Sequence, residues 1–129
     1  MLLPELLQYN DVGLFALRIA VAIIFIYHAM PKLQKPEAMA KGMGWSTTQV
    51  WALGLIELTG GLGLFLGIFI QLSALALAAD MVGAIYYKAE KWKIGFMAHD
   101  KTGWEFDLIL LAASIAILLT GGGSILQLF

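Results

Sequence analysis

The chain contains no cysteine, which excludes disulfides, thiolate metal ligands and any cysteine-based redox relay within it. Histidine is nearly as scarce: His28 and His99 are the two present and fall in different segments, and no ligand motif for a metal or haem surrounds either. Charge is also sparse. Charged residues make up 13% of the 129 residues and the formal net charge is −1, so there is no global basic field of the kind nucleic acid attracts.

Apolar residues fill the space left by charge, reaching 60% against the roughly 45–50% of soluble domains. A chain this short has too high a surface-to-volume ratio to hide that much apolar surface from water. Lipid must therefore be the solvent for much of it. The opening stretch "MLLPELLQYND" carries Glu5 and Asp11 without a basic region or a small-residue cleavage pattern, so a retained first segment is expected rather than a signal peptide.

Four apolar runs stand out: Asp11 to Met30, Gln49 to Phe69, Gln71 to Tyr87, and Trp104 to Thr120. At 1.5 Å per residue they span about 25–32 Å, close to the hydrocarbon thickness of a bilayer. Backbone groups in lipid must be satisfied within the segment, and the runs lack the alternation of a barrel strand. The expected fold is a single all-α domain, an integral membrane four-helix bundle of antiparallel transmembrane helices. "STTQ" (Ser46, Gln49) and "TGWE" (Thr102, Glu105) have capping-box spacing ahead of the second and fourth runs. "LGIFIQL" leaves almost no loop between the second and third, and "PEAMAKGMGW" has room for a short interfacial helix.

Lys32, Lys35 and Lys41 lie in the first loop, and Lys88, Lys91, Lys93 and Lys101 in the third; the tails and second turn have no basic residue. The positive-inside rule then makes the first and third loops cytoplasmic and puts both termini outside. Trp45, Trp51, Trp92 and Trp104 fall on the same basic side, as an aromatic belt would.

Arg18, Glu57 and Asp80 lie well inside apolar runs, where an ionisable side chain costs at least about 2.5–3.5 kcal/mol and normally turns inward to a partner. Gly54, Glu57 and Gly61 share one helical face on which glycines permit close approach of a neighbour. Ala76, Asp80, Gly83 and Ala84 form a second such stripe. Arg18, Ala22, Phe25, Ala29 and Lys32 lie along a third, with His28 one turn before Lys32. Each charge also has a plain structural reading: Arg18 and Glu57 as an internal ion pair, Asp80 as a packing group, His28 at the headgroups, and Lys32 as a snorkelling anchor. Glu105 has its capping box, Asp107 the favourable dipole of a first helical turn, and His99 and the third-loop lysines have solvent.

The order of these residues resembles the DoxX family of small four-helix membrane proteins over nearly the whole chain. The motifs are an arginine in the first helix, "YHAMPKL" at its end, "IELTGGLGLFLGI" in the second helix and "GWE" opening the fourth. On that resemblance Arg18 matches the first-helix arginine, His28 and Lys32 the histidine–x–x–x–lysine motif, Glu57 with Gly60 and Gly61 the second-helix glutamate and glycines, and Glu105 a polar position of the fourth helix. Ala29 stands where a glycine often follows the histidine, Pro31 is unusual, and Asp80 matches no family position.

The resemblance implies a prokaryotic-type plasma membrane and membrane redox chemistry. Relatives include the small membrane subunit of thiosulfate:quinone oxidoreductase, and a distant branch acts as assembly chaperones or cargo receptors. The first expectation is therefore a partner of membrane oxidoreductase subunits binding a quinone or similar polar-headed ligand. Arg18, His28, Lys32, Glu57, Asp80 and Glu105 are its candidate binding or proton-carrying residues. With no electron carrier of its own, such a chain takes electrons from a partner. A non-catalytic assembly protein and a small-solute or proton pathway are the alternatives, the last needing several copies to enclose a pore.

Overall fold

With the bilayer unable to hydrogen-bond the backbone, each apolar run must satisfy its own amides. In the computed structural model, which describes residues 1–129, every regular element is accordingly helical. A short 3-10 turn, Pro4–Tyr9, leads into α1 (Asn10–Gln34), followed by α2 (Pro36–Met43), α3 (Thr47–Leu66), α4 (Ile70–Tyr86), a π turn (Tyr87–Lys91) and α5 (Trp104–Thr120). The stretches Pro4–Gln34, Thr47–Leu66 and Ile70–Lys91 are long and apolar enough to cross a membrane. Large apolar side chains such as Leu72, Ile109 and Leu119 are 64% exposed or more, a surface suited to lipid rather than water.

The first helix outruns its apolar segment. It continues past Met30 and through Pro31 to Gln34, although proline removes a helical donor. This extension carries Lys32 on the helix, one turn beyond His28, where its Nζ donates to the His28 carbonyl at 3.1 Å. The interfacial helix expected after it is present as α2.

The start of α3 obeys its local signal. Ser46 Oγ accepts from the Gln49 amide at 3.1 Å while Gln49 Oε1 accepts from the Ser46 amide at 3.0 Å, which completes the capping box. The start of α5 does not. Gly103 takes the cap position in extended conformation with no side-chain bond, so the Thr102–Glu105 box is absent. The loop supplies the missing acceptors: the Trp104 and Glu105 amides donate to the carbonyls of Gly95 and Phe96 at 3.3 and 3.1 Å. Those bonds make the side-chain cap unnecessary.

Glycines bring α3 close to α1. A Cβ at Gly54 would lie 2.7 Å from Lys32 Cβ, and one at Gly61 2.8 Å from Ile26 Cγ1. Gly60, one position away from Gly61, instead receives Leu77 of α4. The heaviest packing is of α1 on α3 and of α4 on α5, with thinner seams between α3 and α4 and between α1 and α5. Val21, Phe25, Leu64, Leu77, Leu110 and Ile117 fill the common core.

After α5, Gly121, Gly122 and Gly123 all have positive φ, which lets the chain fold back without side-chain strain. The amides of Leu128 and Phe129 then donate to the Gly67 carbonyl at 3.0 and 3.1 Å.

Candidate functional site

Depth along the helices sorts the buried charges into two separate places. Arg18 is fully buried, and its Nη2 donates to the carbonyls of Ile125 and Leu126 at 2.9 and 2.8 Å. Phe15 lies beneath the guanidinium, its ring centroid 5.3 Å away. Arg18 thus ties the returning C-terminal segment to α1. It sits fourteen residues, about 21 Å of helix, from Lys32. The ion pair of Arg18 with Glu57 is therefore not formed.

Glu57 pairs with Lys32 instead, Nζ to Oε1 at 2.8 Å, with both side chains buried. Lys32 is thus an internal residue rather than a snorkelling anchor. The cause is the extended α1: its stripe keeps Lys32 facing α3, and Gly54, three residues before Glu57, lets the lysine's stem approach. This pair joins α1 to α3.

A second pair joins the other two long helices. Lys88 Nζ lies 2.7 Å from Asp107 Oδ2, with side-chain exposures of 16% and 6%. In the sequence neither residue stands out beyond solvation or a helix dipole. Their signals were periodic: Asp80, Ala84 and Lys88 follow one another at i, i+4 and i+8, and Asp107, Leu110, Ser114 and Ile117 are the buried stripe of α5. The π turn that begins at Tyr87 inserts an extra residue into the helical register, a feature frequent at functional sites, and it holds Lys88.

Both pairs line a cavity of about 440 Å³ at the basic-loop end of the helices. Phe25, Met81, Tyr87, Trp92 and Phe106 contribute apolar and aromatic wall, and α2 and its following turn contribute Met39, Met43 and Trp45. Asp80 also faces this space. Its carboxyl lies within hydrogen-bonding reach of that of Glu57, with Lys32 and Asp107 nearby, and no donor from lysine, arginine or backbone reaches its buried Oδ2. A Cβ at Gly83 would meet nothing within 4 Å, so α4 leaves the cavity open on that side. The small-residue stripe of α4 borders a void here rather than a neighbouring helix.

His28 stands at the rim. It is exposed, its Nδ1 lies 2.8 Å from the Ile24 carbonyl, and its ring packs on Phe106 of α5 at 5.4 Å between centroids. A neutral ring that donates from Nδ1 to that carbonyl leaves Nε2 as an acceptor. Glu105 and His99 are exposed and lie outside the cavity. Of the six candidates, His28, Lys32, Glu57 and Asp80 are brought together, whereas Arg18 and Glu105 are not.

Aromatic and apolar walls with a few convergent polar groups, at this volume, are the make-up common to small-molecule pockets. The structure thus defines an all-helical integral membrane protein with a polar-lined cavity near one end. The chain belongs to the DoxX family, whose model matches residues 13–100. That stretch includes Arg18, His28, Lys32, Glu57, Asp80 and Lys88 and stops before α5. The chain is 32% identical over 114 residues to the "Putative oxidoreductase CatD" of Bacillus subtilis (strain 168), covering 86% of this chain and 81% of that protein. It is 29% identical over 119 residues to an uncharacterized protein of Haemophilus influenzae, covering 91% and 89% of the two. No solved structure matches the chain.

Proposed function

We propose that the protein is an integral membrane partner of a quinone-linked oxidoreductase complex and binds a quinone or similar polar-headed ring in the cavity at the basic end. The observation that carries this reading is the convergence of Lys32, Glu57, Asp80 and His28 on one largely apolar cavity of about 440 Å³. The Asp80 carboxyl, buried beside Glu57 on the cavity wall, suits the hydroxyl of the reduced, quinol form of such a ring, which a buried oxygen can accept. The oxidoreductase name of the Bacillus relative supports the same class of chemistry.

A quinone, when bound, takes up electrons and protons together. The residues of this chain position its ring and manage the protons. Lys32 Nζ donates to the His28 carbonyl and pairs ionically with Glu57, which leaves it donor capacity for a ring oxygen. Asp80, against the ion-paired Glu57, is the carboxyl placed to pass a proton to or from the ring, and His28 stands at the rim between the cavity and the aqueous side. Electrons come from a partner protein, because the chain supplies no carrier.

In this reading α5, at 17 residues, also crosses the bilayer, and the four long helices form one antiparallel bundle. Support comes from the contact registers: Gly54 with Lys32 and Gly61 with Ala22 between α3 and α1, and Gly60 with Leu77 and Gly63 with Ser73 between α3 and α4. The lysine-rich loops, and with them the cavity mouth, face the cytoplasm, and both termini lie outside.

The test is extraction of the protein purified in mild detergent, with mass spectrometry of retained lipids and titration with a short-chain benzoquinone and with its quinol. Retained quinone, and quinol binding weakened by Asp80→Asn in a folded variant, is expected. Wild-type protein that neither retains nor binds quinone ends the proposal and favours an assembly role in which both ion pairs only fix helix packing.

A further inference from the structure

Each of the two ion pairs joins one pair of helices. Lys32–Glu57 links α1 to α3 and Lys88–Asp107 links the α4 end to α5, matching the two heavily packed helix pairs. No ion pair crosses from one helix pair to the other. The cavity lies between them and takes lining residues from both. Each wall of the site therefore carries its own ammonium–carboxylate pair.

The second wall has spare hydrogen-bonding capacity. Lys88 Nζ makes one close contact, to Asp107 Oδ2, which leaves two of its three donors free. Lys32, which donates to the His28 carbonyl and pairs with Glu57, also retains donor capacity. A surface ion pair serving solubility needs no such placement, and neither Lys88 nor Asp107 is on the surface: their side chains are 16% and 6% exposed. The π turn fixes Lys88 on this wall. Tyr87 and Phe106, the residues preceding Lys88 and Asp107, line the same cavity and offer flat faces to a ring.

Resting on the quinone reading above, we infer that Lys88 and Asp107 form a second polar clamp. The cavity then selects a flat ring bearing two oxygens, one for each lysine, over a ring bearing one. One oxygen is held by Lys32 and the other by Lys88, so Lys88 is a specificity-determining residue and the π turn is its support.

The test compares a short-chain 1,4-benzoquinone with a phenol of the same ring substitution, by calorimetric titration of the full chain in detergent. Wild type is expected to prefer the two-oxygen ring. Lys88→Gln should lose about tenfold in affinity for it, the scale of a hydrogen bond to a charged group, with little change for the phenol. Lys88→Arg, which keeps the donors, should restore most of the preference. Asp107→Asn provides a second variant of unchanged size should Lys88→Gln fail to fold, with the same selective loss expected. Equal losses for both probes, or unchanged binding in the variants while wild type binds quinone, overturn the clamp and leave the quinone reading intact. Wild type that binds neither probe overturns both.

Discussion

Lys32 Nζ stands 2.8 Å from Glu57 Oε1, and this single contact ties the end of the first helix to the middle of the third. Both side chains are buried, so removal of either charge strands the other. Breaking a buried pair costs about 3–5 kcal/mol, whereas replacing both charges is often neutral. Lys32→Met should therefore lower thermal stability in detergent strongly, and Lys32→Met with Glu57→Gln should recover most of the loss. A double-mutant cycle measures this; additive losses would show that the two groups do not depend on each other.

Arg18 belongs to a different part of the molecule, and its replacement should affect a different observable. Its Nη2 holds the carbonyls of Ile125 and Leu126, just before the Leu128 and Phe129 amides that cap the Gly67 carbonyl. Arg18→Met is expected to loosen this segment while leaving ligand retention unchanged. Hydrogen exchange at Leu128 and Phe129 should accelerate by about tenfold or more, since charge-assisted bonds contribute roughly 1.5–3 kcal/mol. Loss of ligand with unchanged exchange would place Arg18 in the binding site instead.

The contrast between these two charges explains what could be read from the residues alone. Apolar run lengths and the Ser46–Gln49 box located the helices well, because both are local signals. The glycine face of α3 was readable too, since Gly54, Glu57 and Gly61 recur on a single stripe. Partner choice was not readable, because it depends on depth. Arg18 and Glu57 both lie in apolar runs, yet α1 continues through Pro31 and delivers Lys32, not Arg18, to the level of Glu57. Lys88 looked like one more loop lysine because nothing local announces the π turn that holds it at the cavity. Asp107 was hidden by an adequate local explanation, and the loop carbonyls of Gly95 and Phe96 displaced the capping role given to Glu105.

Glycines on opposite sides of this architecture should respond in opposite ways. Gly54→Ala places a Cβ 2.7 Å from Lys32 Cβ, and overpacking of this kind typically costs about 1–3 kcal/mol. Gly83→Ala meets open space in a helix, where alanine is favoured over glycine by about 0.8–1.0 kcal/mol. Thermal unfolding in detergent should then show Gly54→Ala lowered and Gly83→Ala unchanged or raised. Equal destabilisation by both would mean that α4 packs against something at Gly83.

Gly83 also allows the cavity to be filled without touching a charge. Gly83→Leu projects a larger side chain from the same open position into the space bordered by Asp80, Tyr87 and Lys88. The ion pairs Lys32–Glu57 and Lys88–Asp107 remain, so helix packing has no electrostatic reason to fail. A ligand that occupies this cavity must compete with the new side chain, and displacement costing the 1–3 kcal/mol of overpacking lowers affinity about tenfold. Trp45 and Trp92 line the same space, so a bound quinone should quench their fluorescence in wild type and reach the same quenching in the variant only at about tenfold higher concentration. Undiminished quenching in a folded Gly83→Leu protein would move the ligand out of this cavity, whatever the buried charges do.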